Sequence, residues 1–226
     1  MANEIITYFE MCRREGKSLQ QGMNFGPDRQ YSVILMSRRA NAPYRDHIEA
    51  DGITLIYEGH DVPRTALVKD PKVVDQVATS EKVSLTENGK FLRAAMQFKE
   101  RLQPSRVVRV YEKLQPGIWS FNGPFELIDA WTEQDGRRRV YKFKLVALET
   151  EPISVAPEPQ RRRIIPTHIK LAVWKRDGGQ CVLCGAKDEL HFDHDVPYSL
   201  GGSSLTVANV QLLCARHNLE KGPRIV

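Results

Sequence analysis

Residues 181–202 read CVLCGAKDELHFDHDVPYSLGG. Cys181 and Cys184 stand two residues apart, and the same spacing returns at Cys214 and His217. Thiolate and imidazole donors in two such pairs suit a tetrahedral zinc ion, and the stretch between them is long enough to enclose a hairpin. Four protein ligands close a structural zinc site and leave no position for water. Asp193-His194 therefore needs another explanation. A carboxylate from Asp193 and an amide oxygen from Asn218 suit a hard cation such as magnesium or manganese. A neutral His194 can take a proton from water near neutral pH.

Working outward, the whole chain has 226 residues, 41% hydrophobic and 27% charged, the balance of a globular protein. No apolar run approaches the roughly 20 residues that span a bilayer, so no membrane partner is expected. The opening MANEIITYFEMCRREGK has acids within its apolar stretch and no signal-peptide pattern. It reads as a short amphipathic helix with Ile5, Phe9 and Cys12 on one side. Three of the four cysteines fall in the last fifth of the chain. That clustering fits a reducing cytosol and one metal site better than a disulfide scaffold.

Charge is uneven. Residues 1–159 hold 23 Lys and Arg against 22 Asp and Glu, whereas residues 160–226 hold 10 against 6. The C-terminal part carries most of the net +5, which favours a polyanion partner, although ordinary surface charge gives the same count.

The clearest seam is ETEPISVAPEPQRRRIIPT, from Glu149 to Thr167, where four prolines stiffen and extend the chain. It divides the sequence into an N-terminal helix or arm (1–20), a larger mixed-β part (21–150), a Pro-rich basic linker (151–166) and a compact C-terminal part (167–226). In the larger part, Tyr31–Met36, Gly52–Tyr57, Arg106–Lys113 and Arg139–Leu148 are strand-like. Residues 84–103 read as a helix capped by Thr86, with Phe91, Ala94, Ala95 and Phe98 as its apolar stripe. FNGPFELIDAW, 121–131, begins with a turn signal and continues as a strand. In the C-terminal part, residues 168–176 and 208–222 read as helices, the second closed by Gly222.

The run R-D-G-G-Q-C-V-L-C-G, then F-D-H-D-V-P, G-G-S-S and A-N-V-Q-L-L-C-A-R-H-N-L-E-K-G closely resembles the HNH nuclease motif. The resemblance covers about Thr167 to Gly222. It implies a ββα-metal fold with Asp193 and Asn218 as ligands of a catalytic divalent ion, His194 as general base and Asn209 bracing the loop over the hairpin. The second knuckle of this family is often Cys-x2-Cys, and here it is Cys-x2-His. His217 is therefore read as the fourth zinc ligand, with a catalytic His217 as the alternative. His191 shares a strand face with Asp193. It is read as structural, with metal assistance or phosphate contact as the alternative.

From about Gly22 to Leu148 the chain resembles an SRA (YDG) domain, through YSVILMSRR, PYRDHIEADGITLIYEG, SLTENGKFLRAA, VVRVYEK, SFNGPFELIDAW and VYKFKLV. The name-giving Tyr-Asp-Gly appears as Phe121-Asn122-Gly123. This resemblance implies a curved, partly closed β-barrel with flanking helices, so that the whole chain is α+β. It also implies recognition of 5-methylcytosine, or 5-hydroxymethylcytosine, flipped out of duplex DNA. Tyr44 and Tyr57 map onto the family's sandwiching aromatics and Asp46 onto its base-edge acid. The competing readings are strand packing for the tyrosines and a turn cap for Asp46. Arg64 and Lys69, in the polar stretch 59–82, are candidate phosphate contacts.

Together these readings give a modification-dependent restriction endonuclease of a prokaryotic cytoplasm, acting on double-stranded DNA as a homodimer. Two rivals are a non-catalytic reader of modified DNA with a zinc module, and an HNH nuclease reading unmodified sequence or a bulkier modification.

Overall fold

The computed structural model describes residues 3–26, 30–39, 42–148, 164–196, 200, 202–222 and 224. Most of the expected linker lies outside them, as do Pro197, Tyr198, Ser199 and Gly201. The described residues are α+β, with ten strands in one sheet and four α-helices. The strands are β1 (Glu4–Thr7), β2 (Met23–Asn24), β3 (Tyr31–Met36), β4 (His47–Ile48), β5 (Thr54–Glu58), β6 (Arg106–Gln115), β7 (Ile118–Gln134), β8 (Arg139–Ala147), β9 (Leu190–His194) and β10 (Val210–Cys214). The helices are α1 (Tyr8–Glu15), α2 (Glu87–Lys99), α3 (Thr167–Arg176) and α4 (Ala215–Lys221).

The sheet runs β10-β9-β1-β7-β6-β3-β2, and β8, β5 and β4 extend it from β7. The long β7 organises this arrangement. Its start pairs with β1 along one edge, and its second half pairs with β8 along that same edge, while β6 holds the other edge. β3 and β6 are parallel, so they require a crossover, which the chain containing α2 supplies.

Three register shifts interrupt the ladders of β7 and mark extra residues. Asn122 is extra on β7 opposite Val110 and Tyr111, Leu114 is extra on β6, and Ile128 is extra on β7 opposite β8. Bulges of this kind bend a strand and re-aim its side chains. The turn signal in Phe121-Asn122-Gly123 is therefore a bulge inside a continuous strand, and Gly123 takes φ 101° there. The reversal between β6 and β7 lies earlier, at Gly117 with φ 79°.

The start of the chain differs from the single helix expected. Residues 4–7 form β1, because Ile5, Ile6 and Thr7 are β-branched and find partners on β7. The helix begins only at Tyr8. Thr7 caps it by accepting the Glu10 N–H at 3.2 Å while the Glu10 carboxylate accepts the Thr7 N–H at 3.0 Å. Met11 is its buried apolar anchor, and Phe9 is 73% exposed.

Residues 208–222 also differ. Val210–Cys214 is a strand paired with β9, and only Ala215–Lys221 is helical. Val210 and Leu212 are buried with Phe192 of β9 and with Ile169 and Val173 of α3. A short, mostly apolar run such as VQLLC fits either a helix or a buried strand, and here the partner strand decides.

The main core gathers Ile34, Leu55, Tyr57, Val108, Phe125, Phe143 and Leu145 from the sheet, with Phe91 and Ala95 of α2 laid on them. Thr86 caps α2 by accepting the Gly89 N–H at 3.2 Å. A Cβ on Gly89 would lie 2.0 Å from the Ala78 carbonyl oxygen, so only glycine allows this approach.

Candidate functional site

The zinc-type group is assembled from three places. Cys181 and Cys184 lie on the turn before β9, Cys214 ends β10 and His217 sits in the first turn of α4. Their donor atoms all fall within 4.8 Å of one another. The sulfurs of Cys184 and Cys214 are 3.9 Å apart, and His217 Nδ1 is 3.3 Å from Cys181 Sγ and 3.4 Å from Cys214 Sγ. A tetrahedral ion with zinc–sulfur bonds of about 2.3 Å spaces its sulfurs by roughly 3.8 Å, so the donors fit. Burial resists ionisation of the Cys181 thiol. The backbone N–H groups around it outweigh that and bring it down to about 6, which favours the ligating thiolate.

The candidate nuclease centre lies where β9 meets α4. Lys221, 4% exposed, ends the helix with its Nζ 3.0 Å from Asp193 Oδ2. It donates a 2.6 Å hydrogen bond to the carbonyl of His194. Asp193 Oδ2 is buried and accepts no hydrogen bond, since Lys221 lies within ion-pair range but off the bonding direction. A carboxylate oxygen that accepts no hydrogen bond suits a hard cation. Asn218 lies three residues before Lys221, on the same face of the helix. His194 Nε2 is 2.8 Å from Ser204 Oγ. Burial lowers the pKa of His194, Asp193 opposes the shift and Lys221 adds to it. The imidazole is thus neutral at pH 7 and able to accept a proton.

Asn209 supports the loop between these strands. Its Oδ1 accepts the Val196 N–H at 2.8 Å, and its Nδ2 donates to the carbonyls of Val196 and Ser203 at 3.2 and 3.0 Å. His191 is 6% exposed and pairs in register with Glu4 of β1, inside the seam between β1 and β9.

Tyr44, Asp46 and Tyr57 line one cavity of about 470 Å³, together with Ser37, Lys113 and Trp119 among others. Asp46 is a buried carboxyl in its lining. Its Oδ1 accepts the Glu58 N–H at 3.1 Å and its Oδ2 the Ser37 N–H at 3.3 Å. Burial pushes its carboxyl up to about 7, against the pull of these two bonds. Tyr57 is 1% exposed and belongs to the main core, so it forms the cavity floor. A Cβ on Gly22 would lie 2.6 Å from the Tyr57 hydroxyl oxygen, so bare backbone is required above that ring. Tyr44 is more accessible. Its ring stacks on His60 at 5.9 Å, and Lys72 Nζ sits 4.0 Å from its centroid.

Behind the cavity wall lies a buried ion network. Lys142 meets Glu58 at 3.0 Å, and Arg138 meets Asp61 at 2.5 Å. Arg64 and Lys69 are exposed on the 59–82 stretch. Sequence reasoning did not single out Lys221, Ser204, His60, Lys72 or Trp119. A lysine at a helix end reads as a solvated charge, and only the fold shows Lys221 turned inward.

The HNH endonuclease family model matches residues 181–224, the segment that carries Asp193, His194, Asn209, Asn218 and the zinc-type group. No curated protein matches the chain. Three solved structures illustrate its structural neighbours. The SUVH5 SRA domain in complex with hemi-methylated CG DNA is 20% identical, with a TM-score of 0.44 over 67% of this chain and 90% of that one. The same domain bound to fully hydroxymethylated CG DNA is 19% identical, with a TM-score of 0.45 over 67% and 91%. KRYPTONITE in complex with mCHG DNA and SAH is 18% identical, with a TM-score of 0.45 over 69% of this chain and 33% of that one.

Among the described residues, no helix is long and apolar enough to cross a membrane.

Proposed function

We propose that the protein is a modification-dependent DNA endonuclease. In this reading the cavity of the larger part receives 5-methylcytosine or 5-hydroxymethylcytosine flipped from the duplex, and the HNH-type centre hydrolyses a nearby phosphodiester. The observation that carries it is the convergence of Tyr44, Asp46 and Tyr57 on one cavity in a chain whose end matches the HNH endonuclease model. A flipped base gives up stacking and pairing, a few kcal/mol that its pocket must restore. A carboxyl titrating at about 7 suits the pairing edge of cytosine. In its neutral form it offers one donor to N3 and one acceptor to the exocyclic amine, and the two backbone N–H groups hold its plane.

At the second site, Asp193 and Asn218 would hold a divalent ion. When bound, that ion supplies Lewis-acid stabilisation of charge on the phosphate and the leaving 3′ oxygen. His194 takes the proton of the attacking water, and Ser204 holds its ring. Lys221 keeps the Asp193 carboxylate and the end of β9 in place. The zinc group fixes α4, and with it Asn218 and Lys221, against the hairpin. One such site cuts one strand, so the proposal includes a homodimer for a double-strand break. It also places the enzyme in a prokaryotic cytoplasm.

The test is cleavage of matched duplexes that differ only at cytosine C5, with unmodified, methylated and hydroxymethylated bases in the same sequence. Metal-dependent cutting confined to the modified duplexes is expected. Equal cutting of all three removes the reader assignment, and no cutting of any leaves a binding protein.

A further inference from the structure

We propose that Lys170, Glu112 and Asn122 lock the nuclease onto the reader as one rigid body, so that this contact, and not the Pro-rich connection, sets the distance from recognised base to cut bond. The second half of this statement rests on the proposed function, and the first half stands without it.

Lys170 lies on α3, at the start of the C-terminal part, and is 0% exposed. Its Nζ is 2.8 Å from Glu112 Oε2 on β6 and 2.6 Å from Asn122 Oδ1 on β7. Asn122 Nδ2 donates to Glu112 Oε2 at 3.2 Å, and Thr167 donates its hydroxyl to Glu112 Oε1. A lysine only donates and a carboxylate only accepts, so the Asn122 amide fits between them in one orientation. This explains the departure from Tyr-Asp-Gly at Phe121-Asn122-Gly123. An aspartate at 122 would set two carboxylates against one ammonium in a buried space and remove the amide N–H that Glu112 accepts.

Asn122 and Leu114 are both bulge residues, and both turn toward the nuclease. Leu114 packs with Ile165, Ile169, Val173, Phe192 and Leu212, so one apolar cluster is built from both parts of the chain. The backbone joins them too. β1 pairs with β7 along one edge, and on its other edge Glu4 stands in register with His191 while the Phe192 N–H meets the Asn3 carbonyl at 3.1 Å. A nuclease held only by a flexible connection would sample a range of positions and cut at a range of distances. One held by a sheet seam, a shared core and a buried polar triad cuts at one.

The test inserts a Gly-Ser segment carrying one site for a sequence-specific protease between Ala156 and Pro157 of the full chain. Two readouts follow. Cut positions on a duplex with a single modified cytosine are mapped to the nucleotide, and after proteolysis the two pieces are run on gel filtration. We expect the inserted protein to cut at the same phosphate as wild type and the nicked pieces to co-elute. The same insertion combined with Lys170→Gln should spread the cuts over several nucleotides and release the pieces. A spread of cuts in the insertion protein alone, or separation of its nicked pieces, overturns the proposal, and so does Lys170→Gln matching the parent in both assays. Should the wild type cut without regard to modification, the proposed function fails, while co-elution still decides the docking.

Discussion

Lys221 Nζ and Asp193 Oδ2 stand 3.0 Å apart at the junction of α4 and β9, with the lysine 4% exposed. The contact ties the candidate metal-binding carboxylate to the helix that carries Asn218. Removing an outer partner of a metal ligand commonly lowers affinity or activity about 10–100-fold. Lys221→Met should therefore slow nicking by about that factor and raise the divalent-ion concentration needed for half-maximal rate. Single-turnover nicking over a metal titration checks it, and an unchanged titration curve would separate Lys221 from the site.

His194→Ala should reduce cleavage by about 10²–10⁴-fold, the usual contribution of a positioned general base. Affinity for modified duplex should stay within twofold of wild type, since binding is assigned to the other site. Paired gel-shift and nicking assays on one preparation check it. Substantial cutting by this variant would show that another group activates the water.

Cys181→Ser or Cys214→Ser should lose bound zinc and loosen residues 181–221. In wild type, four donors within 4.8 Å of one another tie both strands of the hairpin to α4. Elemental analysis should give about one zinc per wild-type chain, and hydrogen exchange should report the loosening. A folded wild type free of zinc would contradict the assignment.

Tyr44 and Tyr57 should separate in their effects. Tyr44→Ala removes a ring at the cavity mouth and should weaken binding to modified duplex by about 1–3 kcal/mol, the worth of one base–aromatic stack. Non-specific binding, which follows phosphate contacts and salt, should barely change. Tyr57→Ala removes a core ring and should destabilise the fold by about 3–5 kcal/mol, whereas Tyr57→Phe loses only a long hydroxyl contact to the Leu35 carbonyl, 3.4 Å. Binding measured at one salt concentration, beside thermal melts, distinguishes these roles. Equal loss on both DNAs for Tyr44→Ala would make it a general DNA contact.

Asp46 carries a signed pH dependence. Its carboxyl titrates from 3.8 when unfolded but at about 7 in the fold. The folded state thus holds the proton more tightly, and the group's contribution is full below about pH 4 and lost as pH rises to about 7. Asp46→Asn cannot ionise. Its stability relative to wild type should increase steadily across that window and level off above it. Denaturation midpoints of both proteins from pH 4 to 8 check this, and parallel curves would mean that Asp46 is ionised throughout.

Much of the C-terminal site was legible because its chemistry is written in short spacings. Cys181-x2-Cys184, Asp193-His194 and Cys214-x2-His217 are each local in sequence, and the fold gathers the three cysteines and His217 into one group that could hold a metal ion. The cavity lined by Tyr44, Asp46 and Tyr57 was legible only as three scattered residues, which the pairing of β4 with β5 brings side by side. The first residues were misread because a four-residue strand is too short to show its period, and the deciding partners lie far away on β7 and β9. Asn122 was read as part of a turn for a related reason. A bulge looks like a turn in sequence, and only the register opposite Tyr111 tells them apart.

The position of β1 also bears on how the protein is made. β1 is made before both of its partners, β7 and β9, and β9 follows it by more than 180 residues. Pairings between such distant segments form late, because the intervening loop must close before any contact rewards it. During translation β1 therefore keeps an open edge until β9 has emerged. A product that ends before Leu190 lacks β9 and β10, and with them Asp193, His194 and Asn218, so it cannot form the proposed hydrolytic centre.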